Sequence, residues 1–177
     1  VRKIQHLTDA RYFAAMGVDW MSMELTKDQV SFDRWHALKD WVSGVKLAAE
    51  FDVNDEELLA KVIIDAKPDG IVLSEPSSVD LPEEITVFHA LESVSGMLLP
   101  DNGSLILNYD PFISRIQSML GYDQSKTFFQ ADWTPQLIEE VLQNDFHCGF
   151  CFFGTPEEMI GLKDYSEMDV MLERIRG

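Results

Sequence analysis

The stretch Lys3–Trp20, K-I-Q-H-L-T-D-A-R-Y-F-A-A-M-G-V-D-W, constrains the fold more than any other part of the chain. A short apolar–polar alternation breaks at Thr8-Asp9, a helical run follows over Ala10–Met16, and Gly17 ends it. Thr8 reads as the N-cap and Gly17 as the residue past the C-cap, because only glycine enters the left-handed region without steric cost. Val18–Leu25 then reads as a strand. Strand, capped helix, glycine and strand in such close succession make a βαβ unit, so the two strands are expected to be parallel neighbours.

The unit recurs along the chain. Ser31–Val42 carries Phe32, Trp35, Leu38 and Trp41 at helical spacing, with Ser31 as its expected cap, and Val45–Phe51 is the next strand. Asn54, with Glu57 at the capping-box position, opens a helix whose inner stripe is Leu58, Leu59, Val62 and Ile63. Ile71–Ser74, Ile85–Ala90, Leu105–Tyr109, Thr127–Gln130 and Phe146–Phe153 read as five further strands. Helices are expected over Phe112–Leu120, over Gln136–Leu142 behind Thr134-Pro135, and after Ser166 as the last cap. Glu75–Glu84 and Leu91–Gly103 are broken by proline and glycine and leave room for a turn or two at most.

Eight strands, each followed by a helix or its remnant, predict an α/β chain folded as one (β/α)₈ TIM barrel over residues 1–177. The barrel is short for its class, and the helices after strands four and five are reduced. An open doubly wound sheet would call for a glycine-rich phosphate loop after the first strand, and Q-H-L-T-D is not one. Loss of two covering helices would bare apolar sheet surface. Ile71, Leu73, Ile85, Val87, Leu105 and Leu107 are the candidates, and a homodimer is expected to cover them.

Charge narrows the partners. The net charge is −17, from 14 basic and 31 acidic residues, so a nucleic acid or an anionic membrane is a poor match. The sequence has no apolar run long enough to span a bilayer, and its two cysteines make no disulfide framework. A cytoplasmic protein is expected, and since the chain opens at Val1 its natural start is expected to lie upstream.

The Lys3–Trp20 stretch resembles the opening of phosphoribosylanthranilate isomerases, where K-I-C-G and a threonine precede an alanine-rich helix ending in Gly-Ala-Asp. Val53-Asn54-Asp55-Glu56-Glu57 with Pro68-Asp69-Gly70-Ile71-Val72-Leu73 is similar to the family's third helix and fourth strand. The tail Glu157–Glu173 resembles its closing glycine, Lys-Asp and final helix. The resemblance implies a barrel isomerase of tryptophan biosynthesis that needs no cofactor or metal.

The residues that the family uses are replaced. Gln5 stands at the position of the general base and Asn108 at that of the general acid. Neither amide titrates near neutral pH, so neither can move the protons of an Amadori rearrangement. Ala131-Asp132 replaces the Gly-Gly that brings backbone N–H groups to the substrate phosphate, and Phe153-Gly154 replaces a Ser-Gly pattern. The arginine implied after strand two falls in a deletion near Thr26-Lys27, and Val72-Leu73-Ser74-Glu75 stands for Q-L-H-G. These changes argue for a barrel that has lost the isomerase activity and now binds a ligand or partner, or acts on another substrate. The alternative is an active N-(5'-phosphoribosyl)anthranilate isomerase that uses other groups.

Barrel chemistry sits at the C-terminal ends of strands. There the sequence places His6, Glu24, Ser74, Glu75 and His89 beside Gln5 and Asn108, an acidic rim able to take a small cationic ligand or a metal. The plainer reading is a solvated rim with helix caps, and the lack of H-x-H or H-E-x-x-H spacing favours it. Cys148-Gly149-Phe150-Cys151 is a C-x-x-C inside a strand, where residues three apart face opposite sides, so two core thiols are expected rather than a redox pair.

Overall fold

Seven short strands hydrogen-bond in chain order into one parallel sheet. They are β1 (Trp20–Glu24), β2 (Lys46–Glu50), β3 (Gly70–Leu73), β4 (Thr86–Leu91), β5 (Ser104–Asn108), β6 (Thr127–Gln130) and β7 (Gly149–Cys151). The computed structural model describes residues 1–52, 54–74, 81–91, 103–109, 123–144, 147–154 and 163–177. The helix expected over Phe112–Leu120 and most of Leu91–Gly103 lie outside these residues, as does Glu75.

The chain's first residues occupy the eighth position. Arg2 N–H donates to the Phe152 carbonyl and Gly154 N–H to the Arg2 carbonyl, both at 2.7 Å. On the other side Ser22 N–H donates to Val1 O and Ile4 N–H to Ser22 O, both at 2.8 Å. Residues 1–4 therefore join β1 to β7, and the sheet closes into a shortened (β/α)₈ barrel. The expected first strand is reduced to a bridge at Arg2 and Phe153. Lys3 explains this, since its φ of +53° lies in the left-handed region and interrupts the extended backbone. The Lys3 carbonyl also crowds Gly154, where an added Cβ would lie 2.7 Å away.

Among the described residues, five helices wrap the sheet: α1 (Leu7–Ala15), α2 (Gln29–Trp41), α3 (Glu56–Lys61, widening into a π-turn at Val62–Ala66), α4 (Pro135–Gln143) and α5 (Ser166–Arg176). Several caps shift by a few residues from the sequence reading. Helix α1 begins before Thr8, with His6 at its N-cap. Asp28, not Ser31, caps α2, accepting Ser31 N–H at 3.0 Å, and Asp55, not Asn54, caps α3, accepting Leu58 N–H at 3.1 Å. A carboxylate answers both the free N–H group and the positive helix end, which favours aspartate at both positions. Hydrogen bonds from Thr26 and Ser31 hold the Asp28 carboxyl below its ordinary range, and Lys27 does the same for Asp55. Thr134 caps α4 as read, while Ser166 is the first residue of α5 and its N–H bonds Asp164 at 2.9 Å.

Alternation along the strands splits the core in two. Ala48, Val72, Phe88, Ala90, Ile106 and Cys151 pack together inside the barrel with Trp20 and Phe128. Met21, Met23, Leu25, Leu47 and Ala49 pack outward on α1 and α2, and Leu107 and Phe129 outward on α4 and α5. The apolar sheet surface expected to be bare is in part covered. Ile71 and Leu73 are buried under Phe51, Leu59, Ile63 and Leu81, and Leu107 is buried as well. The tail returns to α1, where Lys163 and the Tyr165 hydroxyl both bond the buried Asp9, and Tyr12 stacks on Tyr165 at 3.8 Å.

The left-handed Lys3 generates a prediction. A non-glycine residue there costs about 1–2 kcal/mol, and glycine adds back about 0.5–1 kcal/mol of unfolded-chain freedom. Lys3→Gly is expected to raise stability in urea melts by up to about 1 kcal/mol, and β-branched Lys3→Val to lower it. A loss of stability in the glycine variant would show that the Lys3 side chain, not the backbone, matters at the seam.

Candidate functional site

The C-terminal end of the barrel interior is polar, and its centre is Arg2. The guanidinium reaches Glu50 twice, Nη2 to Oε2 at 2.6 Å and Nε to Oε1 at 3.1 Å. Its Nη1 donates to Gln130 Oε1 at 2.7 Å, and Gln130 Nε2 donates to Asn108 Oδ1 at 2.8 Å. The Ser22 hydroxyl donates to Glu50 Oε1. The Phe153 ring lies 5.7 Å from the Arg2 guanidinium carbon. Four strands, Phe153 beyond β7 and the N-terminal segment thus send polar side chains or an aromatic ring to one centre. Arg2 and Glu50 are both buried, so neither has water to solvate its charge and each depends on the other.

The predicted site residues fall into separate places. Asn108 belongs to this network, at the exposed end of β5, and Phe153 closes over it. Gly154 lies at the seam against Lys3. Ala131 and exposed Asp132 follow β6 just above the network. Gln5 is exposed and lines a groove of about 780 Å³ between the N-terminal segment, α1 and α2, together with His6, Glu24, Asp28 and Arg34. Ser74 is exposed past the end of β3. His89 does not face the rim. It pairs in register with Leu73 and Leu105 on the outer face of the sheet, is buried, and approaches Gly103. Among the described residues, no three His, Cys, Asp or Glu side chains converge as a metal site.

The sequence reading overlooked Arg2 and Ser22. The signal was there in part: Glu50 closes a strand at an inward position, and a buried carboxylate needs a cation. Arg2 was the candidate of matching parity at the barrel seam, hidden because the left-handed Lys3 cannot be read from sequence.

The two cysteines take opposite sides. Cys151 packs inside the barrel, and Cys148 packs outward with the α4 and α5 cluster. Both thiols are free. Burial pushes the Cys148 thiol up to about 11 and raises that of Cys151 as well, which suits inert core residues better than nucleophiles.

No family sequence model matches the chain, and no curated protein matches it either. Solved structures do. The phosphoribosyl anthranilate isomerase of Thermus thermophilus is 18% identical, with a TM-score of 0.71 over 99% of this chain and 96% of that one. A phosphoribosyl anthranilate isomerase in complex with reduced 1-(o-carboxyphenylamino)-1-deoxyribulose 5-phosphate gives 13% and 0.69 at the same coverage. The N-(5'-phosphoribosyl)anthranilate isomerase of Pyrococcus furiosus gives 11% and 0.68, again at that coverage. Identities this low establish the fold, which is that of the phosphoribosylanthranilate isomerases.

The network at the mouth makes a quantitative prediction. Glu50→Ala leaves a buried guanidinium without its carboxylate and is expected to cost about 3–5 kcal/mol in urea unfolding. Replacing both charges, Arg2→Met with Glu50→Leu, is expected to recover most of that loss, because two apolar side chains need no desolvated partner. A single variant as stable as the parent would mean that water already reaches the pair.

Proposed function

We propose that this chain is a phosphoribosylanthranilate isomerase-like barrel that has given up the Amadori rearrangement and serves as a binding or interaction protein. The observation that carries the reading is the filled mouth. Arg2, Glu50, Gln130 and Phe153 occupy the C-terminal end of the lumen, where a barrel enzyme holds its substrate. Asn108, at the position of the family's acid, accepts a hydrogen bond from Gln130 inside that plug. Gln5, at the position of the base, is exposed in the groove beside α1 and α2. Positioned proton transfer contributes about 10²–10⁴-fold for each group, or about 3–5 kcal/mol of barrier. The two groups act as a unit, so their joint loss is smaller than the product of the two factors. Asp132 adds a negative charge beside the position where the family holds a phosphate, which disfavours an anionic substrate. The acidic surface and the lack, among the described residues, of any helix long and apolar enough to cross a membrane fit a cytoplasmic setting.

The test is turnover. Purified protein with phosphoribosylanthranilate in a fluorescence assay is expected to show no rate above the uncatalysed one, and the gene is expected not to complement a strain lacking the isomerase. Gln5→Cys with Asn108→Asp is expected to stay inactive, because the Arg2 plug and Asp132 remain. Growth without tryptophan supported by the unmodified chain would establish the alternative, an active isomerase using other groups.

A further inference from the structure

Below the polar plug, a cavity enters the molecule at the N-terminal ends of the strands. Inward positions that a (β/α)₈ barrel usually fills with bulky side chains are held here by Ser22, Ala48, Gly70, Ala90 and Gly149. The aromatic rings of the lower interior meet across the lumen, Trp20 of β1 against Phe88 of β4 and Phe88 against Phe128 of β6. A Cβ on Gly149 would come within 2.3 Å of the Phe128 ring, and one on Gly70 within 2.9 Å of the Trp20 indole. Those glycines leave the space that the two rings occupy. Beside this cluster is a cavity of about 510 Å³, lined inside the barrel by Trp20, Val72, Phe88, Ile106 and Phe128 and toward the outer helices by Met16 and Ile175. It reaches the surface at the N-terminal ends of the strands, beside Asp19 and His147.

We propose that this well binds one uncharged aromatic small molecule, entering from the N-terminal face. Its volume falls within the range of about 300–1,000 Å³ typical of ligand pockets and exceeds the roughly 150 Å³ of apolar cavities that hold benzene. The walls select the chemistry. Trp20 meets Phe88 edge to face at 4.9 Å, and Phe88 meets Phe128 at 5.9 Å, so a flat ring finds both faces and edges. The Arg2 and Glu50 charges at the top of the well satisfy each other, and the Val1 amino group donates to the Trp20 carbonyl at 2.7 Å. With Asp19, His147 and Arg176 lining its outer part, the inner walls favour an uncharged ring. The site lies at the opposite end of the barrel from Gln5 and Asn108, and its occupancy does not depend on whether isomerase chemistry survives.

The probe is N-phenyl-1-naphthylamine, neutral and fluorescent when removed from water. Titration of the full chain is expected to saturate at one dye per protein. Ala48→Leu puts three extra carbons into the well and is expected to weaken binding about tenfold or more with the fold intact by circular dichroism. Trp41→Ser removes an exposed apolar side chain on α2 and is expected to leave dye binding unchanged. Methyl NMR on the unmodified protein gives a reading independent of any variant, with shifts expected at Val72 and Ile106 on adding dye. Unsaturable binding, binding lost in Trp41→Ser, or unmoved Val72 and Ile106 methyls would overturn the proposal.

Discussion

Arg2 and Glu50 meet where water cannot reach either of them, and much of the molecule is arranged around that meeting. A guanidinium removed from water loses several kcal/mol of solvation, which only a well-aligned counter-charge and further hydrogen bonds can offset. Here Glu50 supplies two contacts, Gln130 a third and Phe153 a ring face. Each comes from a different stretch of chain, so the pair is satisfied only when β2, β6 and the residues after β7 are in register with residues 1–4. The same bond set that solvates the charge joins the first segment of the barrel to the last.

That constraint also divides the lumen. Above, amides and charges fill the end where this fold holds substrates. Below, the Trp20, Phe88 and Phe128 rings meet one another beside a cavity that opens the other way. The fold is shared with the isomerase structures at 11–18% identity. Function has to be read from the residues of the lumen and not from that likeness.

The architecture was legible in the sequence because it rests on local signals. Alternating apolar strands, the glycine after α1 and the Thr134-Pro135 start of α4 each act within a few residues and came out as read. The first strand did not, because the left-handed Lys3 is held by the seam bonds of Arg2 and Gly154, contacts more than a hundred residues apart in the chain. His89 was read toward the rim from its place near a strand end, but the parity of β4 turns it outward. Asn108 and Phe153 were singled out for what they lack, and the structure adds what they do: both belong to the packing around Arg2. No local pattern announces a five-residue network drawn from separate strands.

The most direct measurement is hydrogen exchange at the Arg2 Nε–H, read by nitrogen-15 NMR. A guanidinium sealed between Glu50, Gln130 and Phe153 should give a sharp signal exchanging as slowly as the amides of the core strands, and the signal should collapse in Glu50→Ala. Exchange at the rate of a solvent-exposed arginine in the unmodified protein would contradict the account, because it would place water, and room for a substrate, where the plug is.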